Sequence, residues 1–190
     1  MQPGTCRAEG VILLGRGKRS DHLAGPYNRF QKYHIGNTKT HMPHHELAQM
    51  NVATMKQSLE SPSMADFVAN LDRINALAES SPGFVWRLQT AEGDATAMRP
   101  MGEQALVNIS VWKDAESLSN YVYESAHVDI MRRRKEWFER MREAYVVLWW
   151  VPTGHRPTAT EAIERLERLR LHGPTQEAFT LRKTFLPPNA

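Results

Sequence analysis

Hydrophobic and polar residues fall into regular patterns only from about residue 45 onward. Residues 46–53 alternate, with Ala48, Met50 and Val52 on one side and Leu47, Gln49 and Asn51 on the other, a period of two that predicts a strand. Ser61 and Pro62 then lead into a helix predicted to open at Ser63, where the proline suits the first turn and Ser63 with Asp66 matches a capping box. Its apolar positions Met64, Phe67, Val68, Leu71, Ile74, Leu77 and Ala78 form one stripe at helical spacing. The run Ser80, Ser81, Pro82, Gly83 stops it, and alternation over 84–89 and again over 105–112 predicts two further strands. A long helical pattern covers 115–141, and 145–151 is a dense β-favouring run. Thr158 caps a last helix reaching Leu171, with Ile163, Leu166 and Leu169 inward and Glu161/Arg165 and Glu164/Arg168 as supporting pairs. Gly173 and Pro174 end that helix, and Phe179, Leu181 and Phe185 suggest an extended arm.

The order strand, helix, strand, strand, helix, strand predicts an α+β domain of the ferredoxin-like, split βαβ type, with a four-stranded antiparallel sheet carrying two helices on one face. It divides the chain into an N-terminal extension (1–43), the sheet domain (44–157) and a C-terminal helix with its arm (158–190). The uniform row Ala105, Val107, Ile109, Val111 is expected to lie beneath the helices. Leu106, Asn108, Ser110 and Trp112 then belong to the other face, beside Leu47, Gln49 and Asn51. That second face is uncharged on these strands, so it is expected to be covered rather than solvated. A second copy of the same sheet, closing a two-fold homodimer, is the economical cover, and the last helix folding back is the competing one.

Composition changes this picture only at the N-terminus. The 190 residues carry a net charge of +3, yet residues 1–44 hold seven of the 24 basic side chains against Glu9 and Asp21 alone. The remainder, with 17 basic and 19 acidic residues, carries no polyanion-binding signature, so no nucleic-acid partner is expected. Residues 1–43 show no sustained period and read as a disordered extension, with Met42 a candidate first residue. One cysteine, Cys6, permits neither an internal disulfide nor a cysteine zinc site, and the apolar runs 11–14 and 146–151 are far shorter than the ~20 residues of a membrane span. A cytoplasmic protein away from membranes is the expectation.

Several segments together carry a resemblance: His45-Glu-Leu-Ala-Gln-Met-Asn51, the helix 64–75, Pro82-Gly-Phe-Val-Trp-Arg87, Val107-Asn-Ile-Ser-Val-Trp112, Ser125-Ala-His127 with Met131-Arg-Arg-Arg134, and Leu148-Trp-Trp-Val-Pro152 with Gly154-His-Arg-Pro157. Over about residues 44–186 the chain resembles a bacterial family of uncharacterised proteins in the dimeric α/β-barrel superfamily, which also holds antibiotic-biosynthesis and haem-degrading monooxygenases. The resemblance implies the fold and a homodimer; it hands over no reaction.

In the superfamily's cofactor-independent monooxygenases, an Asn, a Trp and nearby hydrogen-bonding groups line a pocket between sheet and helices and hold the anion of a small aromatic substrate. Asn51, Asn108 and Trp112 are similar in type and strand position, and Gln49, Ser110 and Trp86 complete the candidate lining. The plainer reading of the amides is cross-strand hydrogen bonding at a dimer seam, and of the tryptophans, core packing. His127 is the candidate general base, with a helix-end structural role as its alternative. Arg132, within Arg132–Lys135, is the candidate anion holder, against a solvated basic face. No cofactor is expected. Haem is the outside alternative, disfavoured because the axial histidine of haem-degrading relatives falls about where Met131 and Arg132 stand. His41, His44 and His45 match no metal-ligand spacing, so no metal site is expected. The reading is thus a small-molecule-binding homodimer acting as a monooxygenase-like enzyme on a small aromatic substrate, with a non-catalytic ligand-binding dimer as the alternative.

Overall fold

A computed structural model describes residues 45–91, 93–124 and 127–188. The expectations for residues 1–44, including the tail and its basic excess, lie outside the described residues. Strands β1 (His45–Thr54), β2 (Phe84–Arg87), β3 (Ala105–Trp112) and β4 (Val146–Pro152) form one antiparallel sheet in the order β2-β3-β1-β4. With helices α1 (Ala65–Ser80), α2 (Ala115–Glu124), α3 (His127–Trp137) and α4 (Ala159–His172), this is the expected ferredoxin-like α+β fold. Among the described residues no helix is long and apolar enough to cross a membrane.

Two helices depart from expectation. A 3-10 turn, Pro62–Met64, precedes α1, and no side chain caps it, because the Ser63 hydroxyl pairs with that of Ser61 at 3.0 Å. The long helix expected over 115–141 is instead α2 and α3, ending at Trp137. The chain leaves helical geometry there because the free end of β1 offers backbone partners: Lys56 N donates to Trp137 O and Glu139 N to Thr54 O, each at 2.9 Å. By contrast Thr158 does cap α4, accepting from Glu161 N at 3.1 Å. The expected pairs along α4 give way to others. Glu161 takes the Trp149 indole N–H at 2.9 Å and His155 Nε2 at 2.7 Å, while Arg165 and Arg168 both turn to Glu177.

The main correction concerns which face meets the helices. α1, α2 and α3 lie on the face bearing Leu47, Gln49, Asn51, Asn108, Ser110 and Trp112, where Ala78, Leu118, Tyr121 and Val122 pack around Trp112 and Leu148. The all-apolar row Ala105, Val107, Ile109, Val111 is on the other face. There it joins Met50, Val147 and Trp149 against Ala162, Leu166 and Leu169 of α4. The competing cover, the last helix folding back, is therefore what the chain provides, though on the opposite side from the one expected. The amide-bearing face is consequently no seam between two sheets. Beyond α4 the arm runs along the edge of β4, with Leu148 and Phe179 exchanging backbone hydrogen bonds at 2.8 Å in both directions. Phe179 is fully buried.

Candidate functional site

Cross-strand register arranges the helix-facing side of the sheet in rows. Trp112, Leu47 and Trp150 form one row, Ser110, Gln49 and Leu148 the next, and Asn108, Asn51 and Val146 the third. The first row is closed by an apolar cluster that includes Ala78 of α1 and Leu118 of α2. Beyond the third row a second cluster, Met55, Met64 and Trp137 with Phe67 and Leu106, closes the other end. The amides lie between two packed ends. Asn108 is the one exposed residue of β3, although it sits mid-strand on the helix-bearing face, and Asn51 across from it is half-buried.

The placement of α1 follows from helix spacing. Phe67 belongs to one cluster and Ala78 to the other, so Leu71 and Ile74, on the same stripe of α1, fall between them, and both are half-buried. The amide row and this stretch of α1 therefore share one side of the sheet. Two surface hollows lie elsewhere, one of about 590 Å³ at Glu139 to Arg142 and one of about 370 Å³ around Pro82, Asp114, Ser117 and Tyr121.

A chain of hydrogen bonds fixes the amide floor. Trp112 Nε1 donates to Ser110 Oγ at 2.9 Å, Ser110 Oγ donates to Gln49 Oε1 at 2.9 Å, and Gln49 Nε2 donates to Asn51 Oδ1 at 3.1 Å. Each inner polar group thereby has a partner, and the chain holds the Asn51 amide in one orientation, its carbonyl oxygen already engaged. Asn108 carries no such tie among the described residues. Its amide is left to solvent or a ligand.

The structure thus gathers Gln49, Asn51, Asn108, Ser110 and Trp112 on one side of the sheet. Trp112, however, is 1% exposed and packed between Phe84 (ring centroids 5.4 Å apart) and Tyr121 (5.0 Å), so it buttresses the floor and offers no open wall. Burial also pushes the Tyr121 phenol up to about 12. Trp86 is on the other face, paired with Val111, because a bulge between Phe84 and Trp86 breaks the alternation. Arg132 is on the exposed side of α3. Of its neighbours, Arg133 lies 4.8 Å from the Trp137 ring centroid and pairs with Asp66 and Glu136 at the surface, and Arg134 Nη1 donates to the Tyr145 hydroxyl at 2.9 Å. His127 begins α3, and its side chain lies outside the described residues. Among the described residues no group of three or more His, Cys, Asp or Glu side chains is placed to hold a metal.

Sequence reasoning passed over Arg87. The same bulge that turns Trp86 away sets Arg87 opposite Ser110, on the amide side, and its Nε donates to Glu79 Oε1 of α1 at 2.7 Å. Strict alternation gives no sign of this, because it assigns Phe84 and Trp86 to one face and Arg87 to the other.

Residues 46–190 match the family described as Domain of unknown function (DUF3291). No curated protein matches the chain. Among solved structures it is similar to SnoaB, a cofactor-independent oxygenase from Streptomyces nogalater, at 17% identity and a TM-score of 0.38, over 61% of this chain and 98% of that one. A dabb family protein with a ferredoxin-like fold from Mesorhizobium loti aligns at 14% identity and 0.35, over 60% and 99%. A protein of unknown function from Nitrosomonas europaea aligns at 11% and 0.39, over 60% and 95%.

Proposed function

The chain belongs to the DUF3291 family, and we propose that a cleft on the helix side of its sheet, between the amide row and Leu71 and Ile74 of α1, binds a small, flat organic molecule and supports a monooxygenase-like oxidation of it without a cofactor. The observation that carries this reading is the exposure of Asn108 in the middle of β3, between two packed clusters and opposite Asn51. An exposed mid-strand amide tied to no described side chain keeps its donors available to a ligand. The Asn108 N–H groups suit a phenolate or enolate oxygen, and Leu71 and Ile74 suit the flat apolar body. His127 serves in this reading as the candidate base. Homodimerisation belongs to it too, through a surface other than the buried faces of the sheet.

A second reading, a non-catalytic ligand-binding protein, is favoured by the floor itself. Gln49, Asn51, Asn108 and Ser110 have no group that titrates near neutral pH, so they can hold an anion but not generate one. Oxygen uptake with a panel of phenols, measured beside ligand-induced thermal stabilisation, separates the two. Uptake that disappears in Asn108→Ala supports the enzyme, and stabilisation without uptake supports the binder. Absence of both sinks the cleft reading. A Soret band on the purified protein would replace both with haem binding.

A further inference from the structure

We propose that Arg87 is the anion-holding residue of this cleft and that its ligand carries a carboxylate; the proposal rests on the cleft reading above. Arg87 lies beside Ser110, in the row adjoining Asn51 and Asn108, and its side chain is 12% exposed. Its Nε is taken by Glu79, itself 47% exposed, while its two terminal Nη groups have no hydrogen-bond partner among the described residues. Two terminal guanidinium nitrogens without a protein acceptor, on a side chain that is largely covered, can exchange water for an acceptor on a ligand. No described side chain of the floor accepts from them. The Ser110 hydroxyl and the Gln49 carbonyl are engaged with each other, and no carboxylate stands among Gln49, Asn51, Asn108 and Ser110.

The guanidinium edge presents two parallel donors at the spacing of a carboxylate's oxygens, a match that a neutral amide or a single hydroxyl does not make. The Nε–Glu79 bond fixes the plane of that edge, so the ion pair orients the guanidinium while leaving Nη free. An aromatic or similarly flat acid would then place its carboxylate on Arg87 and its body under Leu71 and Ile74, with Asn108 within the same cleft.

Benzoate and benzamide, alike in shape and different in charge, test this on the full chain by isothermal titration at low salt. Benzoate is expected to bind roughly tenfold or more tightly than benzamide to the wild type. Arg87→Met, which keeps the apolar stem, is expected to bring that ratio toward one, with folding checked by circular dichroism. Glu79→Gln keeps an oxygen acceptor for Nε, and with it the orientation of the guanidinium, while removing the neighbouring negative charge; it is expected to raise benzoate affinity several-fold, so the proposal stays testable if the Arg87 variant misfolds. Equal binding of the two probes by the wild type, a preference that survives Arg87→Met, or weaker benzoate binding in Glu79→Gln each overturns the assignment and leaves the cleft reading standing. Binding of neither probe overturns both.

Discussion

Ser110 Oγ accepts the indole N–H of Trp112 at 2.9 Å while donating to Gln49 Oε1, so a single hydroxyl links the buried aromatic end of the sheet to its amide row. Trp112 and Ser110 are both buried, at 1% and 6% exposure, and Gln49 is at 8%, leaving little room for water to replace a missing partner. Ser110→Ala therefore strands a donor and an acceptor, and we expect it to destabilise the fold by about 1–3 kcal/mol, read as a lower urea midpoint at unchanged m.

Asn108 behaves in the opposite way. Being exposed and untied among the described residues, it contributes little to folding, and Asn108→Ala is expected to change stability by no more than about 0.5 kcal/mol. The same substitution is expected to weaken ligand binding about tenfold. A large loss of stability, measured by denaturant unfolding, would reassign the amide to the framework.

Leu166 of α4 is fully buried against the sheet face that carries Val107, Ile109 and Trp149. Leu166→Ala removes apolar contact there and leaves a cavity, which we expect to cost about 2–5 kcal/mol. Calorimetry should show the loss in a single transition, because α4 shares its core with the sheet. A separate low-temperature transition with the main one unmoved would mean that α4 folds independently.

Tyr121 sets an alkaline limit. Its phenol, on α2 and stacked against Trp112, is pushed from 10.0 to about 12 by burial, so the folded state keeps a proton that the unfolded chain releases. The stability this group supports is fully present below pH 10 and declines as the pH rises toward 12. Ultraviolet titration of the phenolates should show one tyrosine ionising late, and Tyr121→Phe should flatten the decline in stability over that window.

The arrangement of elements was legible because periodicity reports local geometry. The strand over 46–53, the α1 stripe from Met64 to Ala78 and the cap at Thr158 follow from spacings of two or 3.6 and from one hydroxyl. So was the company of Gln49, Asn51, Asn108, Ser110 and Trp112, since residues two apart share a face and register joins the strands. The end of α3 at Trp137 was not legible, because it answers to backbone partners at the far end of β1.

The amino-acid sequence by itself determined the ferredoxin-like order of elements and which residues stand together on each side of the sheet. Only the tertiary structure decided which side the helices cover. Alternation divides a strand into two rows and says nothing of what each row meets, and here neither row of β3 carries a charge, so either could have carried α1 to α3. Tertiary structure also set Arg87 on the amide side and Trp86 away from it, because a single bulged residue in β2 reverses every side chain beyond it, and a bulge is fixed by pairing with β3 rather than by the composition of Phe84 to Arg87.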